Sequence, residues 1–329
     1  MATSTASAPT RNVASPTWLP FAALFIGLLA TSSASILIRF AQESGASSLL
    51  IAAWRLSLAT LILTPFVFAN HRADLRKLTR GQIGLAMLAG VFLAIHFAAW
   101  ITSLEYTSVL ISVTLVTTNP LMVALATPFI LREKLSRVTL GAIFLAMIGG
   151  LVISIGGDAG TAPRQESPLL GVVLALVGAA AVAAYFIIGR RLRATIPALP
   201  YIWLTYGGGA IVLIPVVLLS GQPIGGLAPE AYLWMTLCAL IPQLIGHSSF
   251  NYALGYLSAV FVSLIVLGEP IFSTILAVFL LRETPQPLQL VGSALILVAL
   301  LVASREEARM ETERQRPSPA LQAADEPIG

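Results

Sequence analysis

The chain has 329 residues, 57% of them hydrophobic and only 10% charged, with mean hydropathy +0.88 and a formal net charge of +4. A soluble domain carries about a quarter charged residues, so this composition excludes an ordinary water-soluble enzyme or binding module and points to a core buried in lipid. The basic pI of about 9.5 does not signal nucleic acid, because the basic residues flank long apolar runs and form no phosphate-binding face.

Residues 1–16 are small, polar and Pro-containing and read as a disordered tail. The run that follows is too long for a secretory leader and reads as a retained first span. Counting that run there are ten apolar runs, at about 18–39, 48–69, 81–102, 107–131, 136–156, 168–190, 199–219, 231–251, 257–281 and 287–304. Each approaches the length needed to cross ~30 Å of hydrocarbon as a helix. Continuous stretches such as Leu295–Val302 do not alternate, which excludes a β-barrel. Residues 305–329 are rich in Arg and Glu and read as a charged tail with too few apolar residues to fold alone. Cys238, the only cysteine, lies inside an apolar run, so an internal disulfide and a cysteine-based metal site are both excluded.

The second half repeats the first. Asn119-Pro120 and Leu131-Arg132-Glu133 return 150 residues later as Glu269-Pro270 and Leu281-Arg282-Glu283, and Pro65, Tyr106, Ser108 and Phe129 return as Pro215, Tyr256, Ser258 and Phe279. At an offset of 151, Gly27, Arg39 and Gly141 return as Gly178, Arg190 and Gly292. The expected organisation is a first five-helix repeat over 17–157, a Gly- and Pro-containing linker over 158–167, and a second repeat over 168–304. An odd number of spans per copy makes the two copies enter the membrane from opposite sides, the inverted arrangement of many secondary transporters.

The basic residues set the orientation. With the N-terminus inside, fifteen Lys and Arg residues collect on the inner side, and Arg39, Arg164 and Arg282 remain outside. This positive-inside bias places both termini in the cytoplasm. The predicted fold class is therefore an all-α integral membrane protein of ten transmembrane helices, built as two inverted five-helix repeats.

On these features the chain resembles the drug/metabolite transporter superfamily, specifically its EamA-type ten-helix exporters. The resemblance covers about residues 17–304 and is carried by the paired five-span units, the Asn119-Pro120 and Glu269-Pro270 dipeptides with their Leu-Arg-Glu sequels, and Arg55 in the second span. Asn119 stands in the first copy where Glu269 stands in the second, so the halves are not chemically equivalent at the centre. The resemblance implies export of amino acids or other small metabolites and drugs across a bacterial inner membrane. Among bacterial members the chain looks most like the aromatic amino acid and methyl viologen exporter branch.

The residues support candidate sites independently. Arg55 and Glu269 are the fully ionisable side chains set well inside apolar spans, where a charge costs at least ~2.5–3.5 kcal/mol. Glu269 attracts a substrate ammonium, titrates during coupling, or only stabilises the break before Pro270. Arg55 is a charge partner, a snorkelling anchor or part of the site. Pro120 and Pro270 are expected to break their helices at membrane depth, where irregular backbone lines cavities. His96 lies one helical turn from Trp100 on the same face, a pair that suits a carboxylate or an aromatic ring. Thr117-Thr118-Asn119 is the best polar cluster, and Tyr185 adds a further candidate, so the expected substrate-binding set is His96, Trp100, Thr118, Asn119, Tyr185 and Glu269. Tyr201, Trp203 and Trp234 read as interface aromatics.

No metal or cofactor is implied, and the spans carry no P-loop, HExxH or paired carboxylates. An enzyme is thereby disfavoured, as is an ATP-driven pump. Three readings of function remain: a secondary transporter of amino acids or similar metabolites working by alternating access, an exporter of drugs or organic cations, and a non-transporting membrane sensor or scaffold. The partners are a small-molecule substrate and the bilayer; monomer and dimer are both open.

Overall fold

The computed structural model describes residues 18–106, 112, 115–156, 167–281 and 286–315. The tail predicted over 1–16, most of the linker and the Arg282-Glu283 repeat of Arg132-Glu133 lie outside the described residues.

All the regular structure among the described residues is helical. In chain order the helices are α1 (Leu19–Thr31), α2 (Ala34–Glu43), α3 (Ser48–Asn70), α4 (Arg72–Lys77), α5 (Arg80–Tyr106), α6 (Asn119–Ile130) and α7 (Arg137–Gly156). The second half follows with α8 (Pro168–Arg193), α9 (Ala198–Leu219), α10 (Pro229–Cys238), a π-helical stretch (Ala239–His247) and α11 (Ser248–Ala253). It ends with α12 (Ala259–Val266), α13 (Glu269–Leu281) and α14 (Pro287–Gln315). Among the described residues six helices are long and apolar enough to cross a membrane, counting α1 and α2 together, and Asn119–Ile130, Arg137–Ile153 and Ala259–Ser273 are shorter apolar segments. Large apolar side chains such as Phe129 and Leu219 are more than four-fifths exposed, which suits lipid-facing positions and would be a liability in water. The protein is a multi-pass membrane protein.

Helix α5 is central, packed between α8 and α9, and α9 also lies along α3. Glycine makes these approaches close: a methyl group on Gly208 would stand 2.8 Å from the carbonyl oxygen of Met87, and one on Gly209 2.9 Å from that of Gly90. Small residues of this kind let membrane helices meet main chain to main chain. Helices α7 and α14 pack chiefly on each other, joined at Gly149 and Gly292, and they touch α6 and α12 only lightly.

Three predicted spans are interrupted. The run at 107–131 turns at Thr117–Thr118 and that at 257–281 turns at Leu267–Gly268. Pro120 and Pro270 are therefore not kinks within a helix. Each is the second residue of the new helix, where its missing N–H costs nothing and its fixed φ starts the turn. The third interruption, at Ser32–Ser33 between α1 and α2, has no proline. There Thr31 and Ser32 donate to carbonyls one turn back, Ser32 Oγ to Leu28 O at 2.7 Å, a competing bond that loosens a helix. The freed Ser32 carbonyl accepts from Ser273 Oγ at 2.7 Å, so the break in the first span is held by the helix that follows the break in the ninth.

The C-terminal boundary also moves. Residues 305–315, expected to be tail, continue α14 as helix, and Glu306 and Glu307 are buried. The missing stabilisation comes from tertiary contact: Ser258 donates to Glu307 through its N–H at 2.6 Å and its hydroxyl at 2.8 Å.

Candidate functional site: a chamber at the helix breaks

The three interruptions converge on one cavity. The space measures about 530 Å³ when the solvent it opens onto is counted. Its polar walls are Thr31, Arg55, His96, Thr117, Asn119, His247 and Glu269, and its apolar walls include Phe97, Trp100, Phe186 and Phe250.

Arg55 is 1% exposed. Its Nη2 donates to Gln243 Oε1 at 3.3 Å, and its guanidinium carbon sits 4.2 Å from the centre of the Phe97 ring, a cation–π contact strengthened by the absence of water. Nε and Nη1 have no partner among the described residues. A surface anchor is excluded by this burial, and no ion pair joins Arg55 to Glu269 among the described residues, so the predicted salt bridge is not formed. Both groups line the same space and feel each other's charge across it without direct contact, and Glu269 is hydrogen-bonded to Thr31. A buried charge left this way is costly, and an occupant of the chamber can offset that cost.

His96 and Trp100 come together as the four-residue spacing predicts, with rings nearly parallel at 11° and centres 5.8 Å apart. His96 Nδ1–H donates to the carbonyl of Gly178 at 2.9 Å, which fixes the ring's orientation. Gly178 has no side chain to hold α8 away: a methyl there would stand 3.3 Å from Trp100 Cβ. The Nε1 of Trp100 and Oδ1 of Asn119 are buried and unpartnered among the described residues, while Asn119 Nδ2 caps the freed Val116 carbonyl at 3.1 Å.

Two expected binding residues fall outside the lining. Thr118 is used by the break itself, its hydroxyl donating to Leu115 O at 2.7 Å. Tyr185 is fully buried and packs its ring on Phe186 and His247; its neighbour Phe186 faces the chamber instead. Tyr201, expected at the interface, is likewise fully buried. Residues not anticipated include Thr31, Phe97, Val182, Phe186 and Phe250. The Thr31-Ser32-Ser33 run was the available signal for the first. The others are apolar residues in apolar spans, and nothing local marks which face they take.

The EamA-like transporter family model matches the chain twice, over residues 18–155 and 169–305. An uncharacterized transporter of Clostridium kluyveri is 23% identical over 74% of this chain and 79% of that protein. The uncharacterized transporter YyaM of Bacillus subtilis is 27% identical over 77% of this chain and 83% of its own length. A crystal structure at 17% identity superposes with TM-score 0.73 over 89% of this chain and 98% of that one, which shows a shared fold. With two matched units covering most of its length, an all-helical membrane fold and a chamber between the units, the chain belongs to the EamA-like transporter family.

Proposed function

We propose that the protein is a secondary transporter exporting amino acids, or similar small metabolites, across the bacterial inner membrane by alternating access of two inverted five-helix repeats. The observation that carries the substrate class is the pair of opposite charges, Glu269 and Arg55, that line one chamber without a direct ion pair. A zwitterion offers an ammonium to the first and a carboxylate to the second, and the His96–Trp100 stack offers a face to an apolar or aromatic side chain. An organic cation would find the same rings and carboxylate, but also a buried guanidinium of like charge, which disfavours it.

The mechanism draws support from the two family matches, each spanning five apolar runs, and from the basic residues, which put both termini in the cytoplasm. The pivots are the turns at Thr117–Thr118 and Leu267–Gly268, immediately ahead of Pro120 and Pro270. The direction of transport rests on the exporters that the chain resembles. A sensor or scaffold has no use for three helix breaks around a charged chamber.

The test is flux from proteoliposomes loaded with a panel of labelled amino acids, with and without a pH gradient. Saturable release of some amino acids establishes the substrate class. Absence of any amino acid flux, with release of a cationic dye, transfers the assignment to organic cations.

A further inference from the structure

We propose that the ion pair between Glu133 and Arg190 is the lock that closes one mouth of the chamber. The proposal rests on the alternating-access reading but concerns residues outside the binding chamber.

The stacking of residues along α8 locates the lock. Val182, Phe186 and Arg190 follow one another at four-residue spacing, on one helical face. The first two line the chamber, and Arg190 lies one turn further on. On the opposite side of the wall, Phe250 of α11 lines the chamber and Leu254 lies one turn beyond. Phe186 and Phe250 meet edge to face with centres 6.4 Å apart, forming an apolar floor. Beneath that floor Arg190 Nε donates to Glu133 Oε1 at 2.9 Å and Arg190 Nη1 donates to the carbonyl of Leu254 at 3.1 Å. A single guanidinium thus ties together the end of α6 in the first matched unit, the end of α8 in the second, and the turn that leads into α12.

The pair is sheltered, at 15% and 19% side-chain exposure, and Glu133 Oε2 is buried without a partner among the described residues. Shelter makes an ion pair stronger than its solvent-exposed equivalents. The backbone is shaped to deliver Glu133: Arg132 takes φ 57°, the one left-handed non-glycine residue among those described. Glycine is the usual residue at such a helix end, and a side chain there carries a strain of about 1 kcal/mol or more. That strain turns the chain immediately after α6 and sets Glu133 against Arg190.

The counterpart of Arg190 in the first half is Arg39. Arg39 Nε pairs with Glu43 of its own helix, with the two side chains 70% and 61% exposed. Equivalent arginines are therefore in opposite conditions. Arg190 is sheltered between segments of both halves and Arg39 is exposed; Glu283, the repeat counterpart of Glu133, lies outside the described residues. This asymmetry is what a two-state carrier needs in any single state.

The lock is tested by labelling full-length protein in inside-out membrane vesicles, without substrate, using a membrane-impermeant maleimide that reaches the chamber only from the cytoplasmic face, where Glu133 and Arg190 lie. Val116→Cys places a thiol in the chamber wall, and native Cys238, fully buried in α10, reports on unfolding. Glu133→Ala and Arg190→Met are each expected to speed maleimide labelling of the Val116→Cys thiol roughly ten-fold, a shift of about 1.4 kcal/mol in closure, with Cys238 unlabelled throughout. Unchanged labelling in both variants overturns the lock. Faster labelling of both thiols together also overturns it, because general loosening then explains the result. Since no substrate is used, a failure of amino acid flux sinks the substrate assignment and leaves this result standing.

Discussion

The carboxylate of Glu307 accepts two hydrogen bonds from Ser258, at 2.6 and 2.8 Å, while the same serine hydroxyl accepts from Phe261 N–H at 3.2 Å. The last turns of α14 therefore cap the start of α12, the helix that runs to the break before Glu269. Charge-assisted bonds to a buried group are worth about 1.5–3 kcal/mol each. Glu307→Ala is expected to lower the thermal midpoint in detergent by the equivalent of about 2 kcal/mol, and Ser258→Ala by about 1 kcal/mol. An unchanged midpoint for both would show the cap to be without consequence.

Arg55 separates stability from function. Replacing a buried, incompletely paired charge with an apolar side chain of similar length is often neutral or stabilising. Arg55→Met is expected to hold or raise the thermal midpoint while weakening amino acid binding roughly ten-fold or more. A folded Arg55→Met protein with parental affinity removes Arg55 from the site.

In the proposed mechanism Glu269 is the carboxyl through which a proton gradient acts on the chamber. Wild-type flux is expected to change with pH, and Glu269→Gln flux to be low and independent of it. Measuring initial release rates across a pH series decides the matter, and equal pH dependence in both proteins refutes the role.

Gly292 has no room for a side chain. A methyl group there would stand 2.5 Å from Gly149 O and 2.7 Å from Ile153 N, both main-chain atoms that cannot step aside. Gly292→Ala is expected to cost about 1–3 kcal/mol, read as a lower thermal midpoint. Gly141→Ala, with nothing within 4 Å of the new methyl, serves as the silent control.

Much of this fold could be read from residue types. Apolar runs marked the helices, and Pro120 and Pro270 drew attention to two of the three breaks, because proline cannot donate to the preceding turn. The break at Ser32–Ser33 escaped because hydroxyl-to-carbonyl bonds make it, and three small polar residues in a span are equally compatible with ordinary packing. The extension of α14 escaped because local composition opposes it: Arg305 to Glu313 has no apolar stripe, and the helix depends on Ser258, which is 49 residues away. At the site, the polar residues could be named because they are costly in lipid, and His96 and Trp100 because their spacing shares a face. Tyr185 was misplaced for the opposite reason. It is next to Phe186, and in a span that is apolar all round, the residue types do not say which of two neighbours faces inward.

Contact between α7 and α14 through Gly149 and Gly292 is main chain on main chain. Side chains between helices change rotamer and let their hosts slide, whereas a carbonyl pressed on a Cα leaves no such freedom. The separation of these two helices is thus set by bond geometry and is indifferent to what fills the chamber. In the proposed mechanism they supply the fixed frame of the molecule. Spectroscopic labels on lipid-facing Leu151 and Val298, each about half exposed, should keep one distance through a transport cycle and so provide the origin from which displacements of α6, α8 and α12 are measured.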